Sequence, residues 1–310
     1  MTVRMIIDTD TASDDAVALA MALRHPGVRV LAITTVAGNC SVEQATRNAL
    51  FTTELCESDV PVHQGAAGPL LVPASFATWF HGQDGLGDQG YPPPLRRREA
   101  TDAITALVAT IRANPGCTVV TLGPLTNVVM ALRQAPDLVD CVERCVVMGG
   151  TVNAVGNVTP AAEFNLWFDP HAARAVFSSG LPIELAPWEI CRGDAGLNRA
   201  EQEALRGLNT PLGHFFVDCN STAMEAARRQ SGTERMELPD PAAMAIALDK
   251  EAVVTRSTRH YVEIEAGSPL TRGMSVVDSL NVTGNPPNVE VIRAMDVDRF
   301  KQMIFEAAGG

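Results

Sequence analysis

The chain has only two lysines, Lys250 and Lys301, and no run of Lys or Arg that would form a basic stripe. Acids outnumber bases 36 to 24, giving a formal charge of −12 over 310 residues. Nucleic acid and anionic membrane surfaces are therefore poor partners. No apolar run is long enough to span a bilayer, and the amino terminus enters a strand pattern without the charged lead and apolar stretch of a signal peptide. The expectation is a soluble, cytoplasmic protein. Seven cysteines, Cys40, Cys56, Cys117, Cys141, Cys145, Cys191 and Cys219, are an odd, scattered number with no C-x-x-C pair, which argues against a zinc site or disulfide framework and for reduced core thiols. Repeats, low-complexity segments and linkers are missing as well, so residues 1–310 read as one domain. With 46% hydrophobic residues the chain has enough material for a large α/β core.

What the sequence does have is a crowd of carboxylates near its start. Val3, Met5, Ile6 and Ile7 read as a buried strand, Ser13 as the N-cap of the helix that follows, and Asp8, Asp10, Asp14 and Asp15 as four acids at one strand-to-helix junction. Like charges within about 4–6 Å raise each other's pKa, so such a cluster shares protons or surrounds a cation. A plainer role, complementing the helix dipole for about 0.3–1 kcal/mol each, covers Asp14 and Asp15 only. Asp8 and Asp10 stay unexplained, at the carboxyl end of a strand where open α/β sheets bind ligands.

Further along, residues 28–36 form a second strand pattern that completes a βαβ opening, and Asn39 follows at the same rim, where a turn role is as good a reading as a functional one. Ser41 and Gln44 are spaced to cap the next helix. Periodicity lapses from Gly68 to Arg98, and inside this loop His81 and Asp84 stand among glycines, beside Trp79 and Phe80. Long loops in compact domains tend to be lids or binding segments, and glycines there allow backbone close to a ligand, although a lone loop histidine is often ordinary surface. Strand patterns over 117–122 and 144–148 each run into Gly-containing turns, and residues 156–165 supply Asn157, Glu163 and Asn165, whose side chains hydrogen-bond sugar hydroxyls. Asp169 reads as a helix cap. By local rules Asp240 is an N-cap with Pro241 at the first helical position. Residues 261–265 and 289–294 read as late strands and 298–307 as a closing helix.

The series Asp8-Thr9-Asp10-x-x-x-Asp14-Asp15-Ala16, His81-Gly82-x-Asp84-Gly85-Leu86-Gly87, Leu122-Gly123-Pro124-Leu125-Thr126-Asn127, Met148-Gly149-Gly150, Gly156-Asn157, Ala162-Glu163-Phe164-Asn165, Asp240-Pro241 and Leu270-Thr271-Arg272-Gly273 resembles the inosine-uridine-preferring nucleoside hydrolases. The likeness runs along nearly the whole chain. It implies an open, mostly parallel sheet flanked by helices, with Ca2+ at the strand ends. By resemblance, Asp10, Asp15, Asp240 and the Leu122 carbonyl hold the ion, whose shell the ribose diol completes. Asp14 accepts from the 2′ hydroxyl, Asn39, Asn157, Glu163 and Asn165 bind the other sugar oxygens, Met148 lies on the ribose face, and Asp8 supports the loop. The implied reaction is inverting attack of a metal-bound water on C1′ of a ribonucleoside, with Asp10 as base and ribose and free base as products. A homodimer or homotetramer is expected from the same resemblance.

One position departs from the pattern. Members that it resembles carry a His before the distal aspartate, where this chain has Pro239 before Asp240. His81 is left as the leaving-group candidate, with Trp79, Phe80, Trp167, Trp188 or arginines near Arg228 as groups that would stack on or hydrogen-bond the base. Two rival readings follow. The opening also looks like the nucleophile motif of haloacid-dehalogenase-type phosphatases, with Asp8 as nucleophile, but that chemistry wants a lysine beside an acidic motif. The other rival is a non-catalytic nucleoside or ribose binder on the same fold.

Overall fold

The computed structural model describes residues 2–153 and 155–309. Its first half alternates strand and helix: β1 (Val3–Thr9), α1 (Ser13–Arg24), β2 (Val28–Thr35), α2 (Val42–Leu55), β3 (Val62–Gln64), α3 (Thr78–His81), α4 (Ala103–Ala113), β4 (Cys117–Thr121), α5 (Thr126–Gln134) and β5 (Val142–Met148). The helices α6 (Phe164–Phe168) and α7 (Pro170–Phe177) lead to β6 (Ile183–Ala186). A helical stretch follows, with α8 (Arg199–Gly207), α9 (Pro211–Asp218), α10 (Ser221–Ser231), α11 (Pro239–Leu248) and α12 (Lys250–Val253). The chain ends with β7 (Val254–His260), β8 (Val262–Ile264), β9 (Ser275–Val277), β10 (Val289–Met295) and α13 (Val297–Ala308).

Eight strands form one sheet in the order β3-β2-β1-β4-β5-β6-β10-β7, and β8 and β9 make a separate antiparallel pair. Every neighbouring pair in the large sheet is parallel except β10 with β7, an antiparallel edge. The open, mostly parallel α/β sheet expected from the sequence is present. From β1 the chain winds outward through β2 to β3, then returns to β4 on the other side of β1. The crevice between β1 and β4 is thus the point where the winding reverses, which is where sheets of this kind bind ligands.

Successive side chains of a strand face opposite layers. Met5 and Ile7 pack into the core beneath α1 and α11, whereas Ile6 packs on the side of α4, α5 and α7. Asp8 falls on the Ile6 side and meets Asn127 of α5, while Thr9 faces α1. Helix α11 is buried from Asp240 to Leu248 and apolar all round after its first turn, the pattern of a helix enclosed by the core. It lies against α1, which brings the amino termini of both helices to the crevice.

Several local expectations are corrected. Asp240 is not an N-cap: the helix starts at Pro239 with Leu238 before it, and Asp240 lies inside the first turn. Strands β7 and β9 carry no clear alternation and escape sequence reading, β7 because an edge strand with charged residues such as Arg256 and Arg259 exposes both faces. The unpatterned loop holds the one-turn helix α3, too short for a periodic signal.

Candidate active site

Five carboxylates lie buried in the crevice, each at most 6% exposed: Asp8, Asp10, Asp14, Asp15 and Asp240. Asp8 is braced by Thr34 Oγ1 at 2.6 Å and Asn127 Nδ2 at 2.8 Å, both donating to Oδ1, while its Oδ2 has no partner. Burial pushes this carboxyl up to about 7 against those two hydrogen bonds. Asn127 also donates to Thr35 O and accepts from Ala66 N, so one amide ties together the ends of three strands.

Asp10 sits in the turn after β1. Its Oδ2 accepts from Asn39 N at 2.6 Å and its Oδ1 is buried without a partner. Glycine is required on both sides: a Cβ at Gly38 would stand 2.0 Å from Oδ2, and one at Gly123 would stand 2.6 Å from Oδ1. Asp15 Oδ1 accepts from Thr9 Oγ1 at 2.5 Å, and its Oδ2 accepts from Ala12 N at 2.9 Å and Asn39 Nδ2 at 3.4 Å. Asp240 N donates to Asp14 Oδ2 at 3.4 Å. Oxygens of Asp14, Asp15 and Asp240 lie within 4.8 Å of one another.

Ser13 does not cap its helix, contrary to expectation. Helix α1 begins at Ser13, Asp15 reaches back to Ala12 N, and the Ser13 hydroxyl meets His81 Nδ1 at 2.7 Å. Burial, followed by the charge of Asp15, holds both Asp10 and Asp14 above the ordinary carboxylate range, Asp14 at about 7. Asp240 is raised by burial and then by Asp14, Asp15 and Asp10. Such mutual repulsion inside a dry crevice is relieved by protons or by a hard cation, and the orphaned Oδ1 of Asp10 beside an all-oxygen donor set fits the latter.

A cavity of about 250 Å³ opens onto these groups. Asp14, Asn39, His81, Leu122, Met148, Asn157, Glu163, Asn165 and Asp240 all line it, whereas Asp8 and Asp15 stand behind the wall. Asp10 is likewise absent from the lining surface, enclosed by its two glycines. Glu163 caps α6, accepting from Asn165 N at 2.8 Å, Leu166 N at 3.3 Å and Gly150 N at 2.8 Å, and burial raises it to about 7. Asn165 Nδ2 donates to Leu122 O at 2.7 Å and lies 3.3 Å from Met148 Sδ, so sugar-side and metal-side candidates are joined. Asn157 Oδ1 accepts from Phe164 N, which fixes its loop.

Among the expected base-side groups, Trp79, Phe80 and Trp188 line the cavity. Trp167 does not; it lies beneath Arg272, 4.1 Å from the guanidinium carbon. Arg228 does not line it either, and Asp84 serves its own turn by accepting from Leu86 N and Asp88 N. His81 is buried, 8% exposed, rather than a surface residue. Burial pushes it down to about 3, so the ring is neutral near pH 7. Sequence reasoning missed Ser13, Arg192, Asn220 and Glu237 as cavity residues. Only the three-residue spacing from Glu237 to Asp240 offered a signal, and capping absorbed it.

The phosphatase reading loses its lysine: Lys250 pairs with Glu184 and Glu290, Lys301 pairs with Glu201, and neither lines the cavity. The family profile described as inosine-uridine preferring nucleoside hydrolase matches residues 5–302. An uncharacterized protein of Schizosaccharomyces pombe is 39% identical over 311 residues, covering 99% of both chains. The pyrimidine-specific ribonucleoside hydrolase RihA of Salmonella enteritidis is 37% identical over 303 residues, covering 96% of this chain and 95% of its own. Among solved structures, the plant nucleoside hydrolase PpNRh1 superposes with a TM-score of 0.93 at 29% identity, covering 99% of each chain. Agreement at this level along nearly the full length shows that the chain belongs to the inosine-uridine preferring nucleoside hydrolase family and is a ribonucleoside hydrolase.

Proposed function

We propose that this chain cleaves the N-glycosidic bond of ribonucleosides by inverting attack of water on C1′, using Ca2+ as its resident metal. The observation that carries the proposal is the buried cluster of Asp14, Asp15 and Asp240 at the cavity wall, whose oxygens lie within 4.8 Å of one another, with Asp10 near enough to raise Asp240 and holding an orphaned oxygen. Asp10, Asp15, Asp240 and the Leu122 carbonyl would hold the ion, and Asp14, grouped with Asp15 and Asp240, would meet the 2′ hydroxyl. Bound Ca2+ would offset the clustered negative charge, grip the ribose diol and polarise water.

The protein's own groups do the rest. Asp10, held by Asn39 N through Oδ2, keeps Oδ1 for the proton of the attacking water. Asn39, Asn157, Glu163 and Asn165 orient the sugar, Met148 covers its face, and Asp8 stiffens the strand end through Asn127. The carboxylates stabilise positive charge growing on the ribose ring as the bond breaks. In the tautomer where the Ser13 hydroxyl donates to Nδ1, neutral His81 carries its hydrogen on Nε2 and offers a hydrogen bond rather than an ionised proton. We also read residues 1–310 as one domain working in the cytoplasm as a homodimer or homotetramer, and seven free cysteines support a reducing compartment.

Inosine, guanosine, adenosine, uridine and cytidine, assayed for reducing sugar with and without a chelator, test the whole proposal. Ribose is expected from at least one of them, lost with chelator and restored by Ca2+. Tight nucleoside binding with no ribose from any base would overturn it.

A further inference from the structure

Breaking the C1′–N bond leaves an electron pair on the base, and the cavity must meet it with a hydrogen-bond donor. His81, neutral and tied to Ser13 through Nδ1, has at most its Nε2 hydrogen to offer, a donor without the positive charge that the departing anion calls for. Pro239 offers no donor at all. Two permanently charged side chains line the cavity among the described residues, Arg192 and Arg235. Arg235 is occupied, with Nη1 donating to Gly196 O at 3.1 Å and Nη2 to Asp194 Oδ1 at 3.0 Å. Gln230 is occupied too, its amide donating to Asn157 O at 2.7 Å.

Arg192 differs from both. Its guanidinium carbon lies 4.3 Å from the Trp188 ring centroid, and its Nε lies 3.5 Å from Glu237 Oε2. That Nε is buried without a well-aligned acceptor and is turned to Glu237, whose carboxyl burial raises and the arginine lowers, while neither terminal guanidinium nitrogen has a protein hydrogen-bond acceptor among the described residues. An aromatic face and a carboxylate therefore fix a planar cation while leaving its terminal nitrogens unspent. Trp188 and Glu237 line the same cavity, so the held group faces ligand space.

We infer that Arg192, positioned by Trp188 and Glu237, hydrogen-bonds acceptors on the departing base and takes up the charge that the base gains; this rests on the ribonucleoside hydrolase reading above. Water adds its oxygen to C1′ and gives a proton to Asp10. The C1′–N electron pair leaves with the base, whose anion is held by the guanidinium and takes a proton from solvent on release. A guanidinium serves here because it stabilises the anion without having to lose a proton itself.

The test compares two leaving groups in the full-length protein: the best nucleoside of the panel, and 4-nitrophenyl β-D-riboside, whose phenolate departs without help. Arg192→Met and Arg192→Gln are expected to lower kcat/KM for the nucleoside about 10²–10³-fold, as loss of an oxyanion donor does. For the nitrophenyl riboside the change is expected to stay within about threefold. Glu237→Gln is expected to shift the same ratio in the same direction by about tenfold, since it loosens the cation without removing it. Arg192→Gln keeps the comparison available should Arg192→Met fail to fold. Equal losses on both substrates in both Arg192 variants would overturn the inference, because Arg192 would then only shape the cavity. Unchanged nucleoside hydrolysis would overturn it as well. A wild-type protein inactive on both substrates would overturn the hydrolase reading itself, and the inference with it.

Discussion

At the scale of single residues, Asp10 is where fold and chemistry pull apart. It is fully buried, lacks a partner on Oδ1, and is pushed up by burial and by Asp15, so its charge costs stability wherever no cation offsets it. Asp10→Asn keeps the shape and the acceptor for Asn39 N while removing that charge. The variant is expected to lose about 10²–10⁴-fold in kcat, the contribution of a positioned base, and to melt no lower than wild type in chelator. Steady-state kinetics and a thermal melt check both halves. Unimpaired turnover would remove Asp10 from the chemistry, and a sharply lower melting temperature would mean the residue is structural.

Among the elements, α11 matters most, because it delivers Asp240 from the far end of the sequence. Its ten residues PDPAAMAIAL are small enough to lie close to α1, and its other end is held by a network at the opposite edge of the sheet. Arg144 donates to Glu184 at 2.9 and 2.8 Å and to the carbonyls of Ile246 and Ala247 at 3.0 and 3.1 Å, closing the end of the helix. Arg144→Met strands these two carbonyls and leaves Glu184 with Lys250 alone, at 3.2 Å. A loss of about 2 kcal/mol in urea unfolding is expected, below the full cost of breaking a buried pair because Lys250 remains. An unchanged midpoint would show that α11 is held by packing alone.

For the molecule as a whole, the crevice makes stability depend on pH and on metal together. Burial raises Asp8, Asp14 and Glu163 to about 7, against about 4 for unfolded carboxyls. The folded chain therefore holds protons that the unfolded chain releases. This contribution is complete below about pH 4 and is lost as pH rises through about 7. In chelator the melting temperature is expected to fall between pH 5.5 and pH 8. Asp10, Asp15 and Asp240 are raised by burial as well, so added Ca2+ competes with protons there and should stabilise the fold more at pH 8 than at pH 5.5, by as much as about 4 kcal/mol at a thousandfold excess over Kd. A Ca2+ effect that is absent, or larger at pH 5.5, would contradict the carboxylates as its binding site.

Much of this was written locally. The β-branched runs of β1, β2 and β4, the turn chemistry after them and the cap at Asp169 depend on neighbours within a few residues, so these strands and their functional rim were readable in advance, while the family resemblance supplied the mostly parallel sheet. The acidic turn announced itself because four carboxylates in eight positions have no local explanation. Distance hid the rest. By local rules alone Asp240 was a sufficient cap and His81 an ordinary loop residue, and only the resemblance and the surrounding glycines singled them out; the packing of α11 on α1 puts the Asp240 carboxylate beside Asp14 and Asp15, and α3 buries His81 on Ser13. Arg192 gave no signal, since a guanidinium with unspent terminal donors is defined by what fails to surround it. Composition and short-range pattern determined most of the strands, the opening βαβ unit and the charge brought to the rim. Only tertiary packing decided which distant side chains share one dry cavity, because burial and long-range Coulomb forces act through space rather than along the chain.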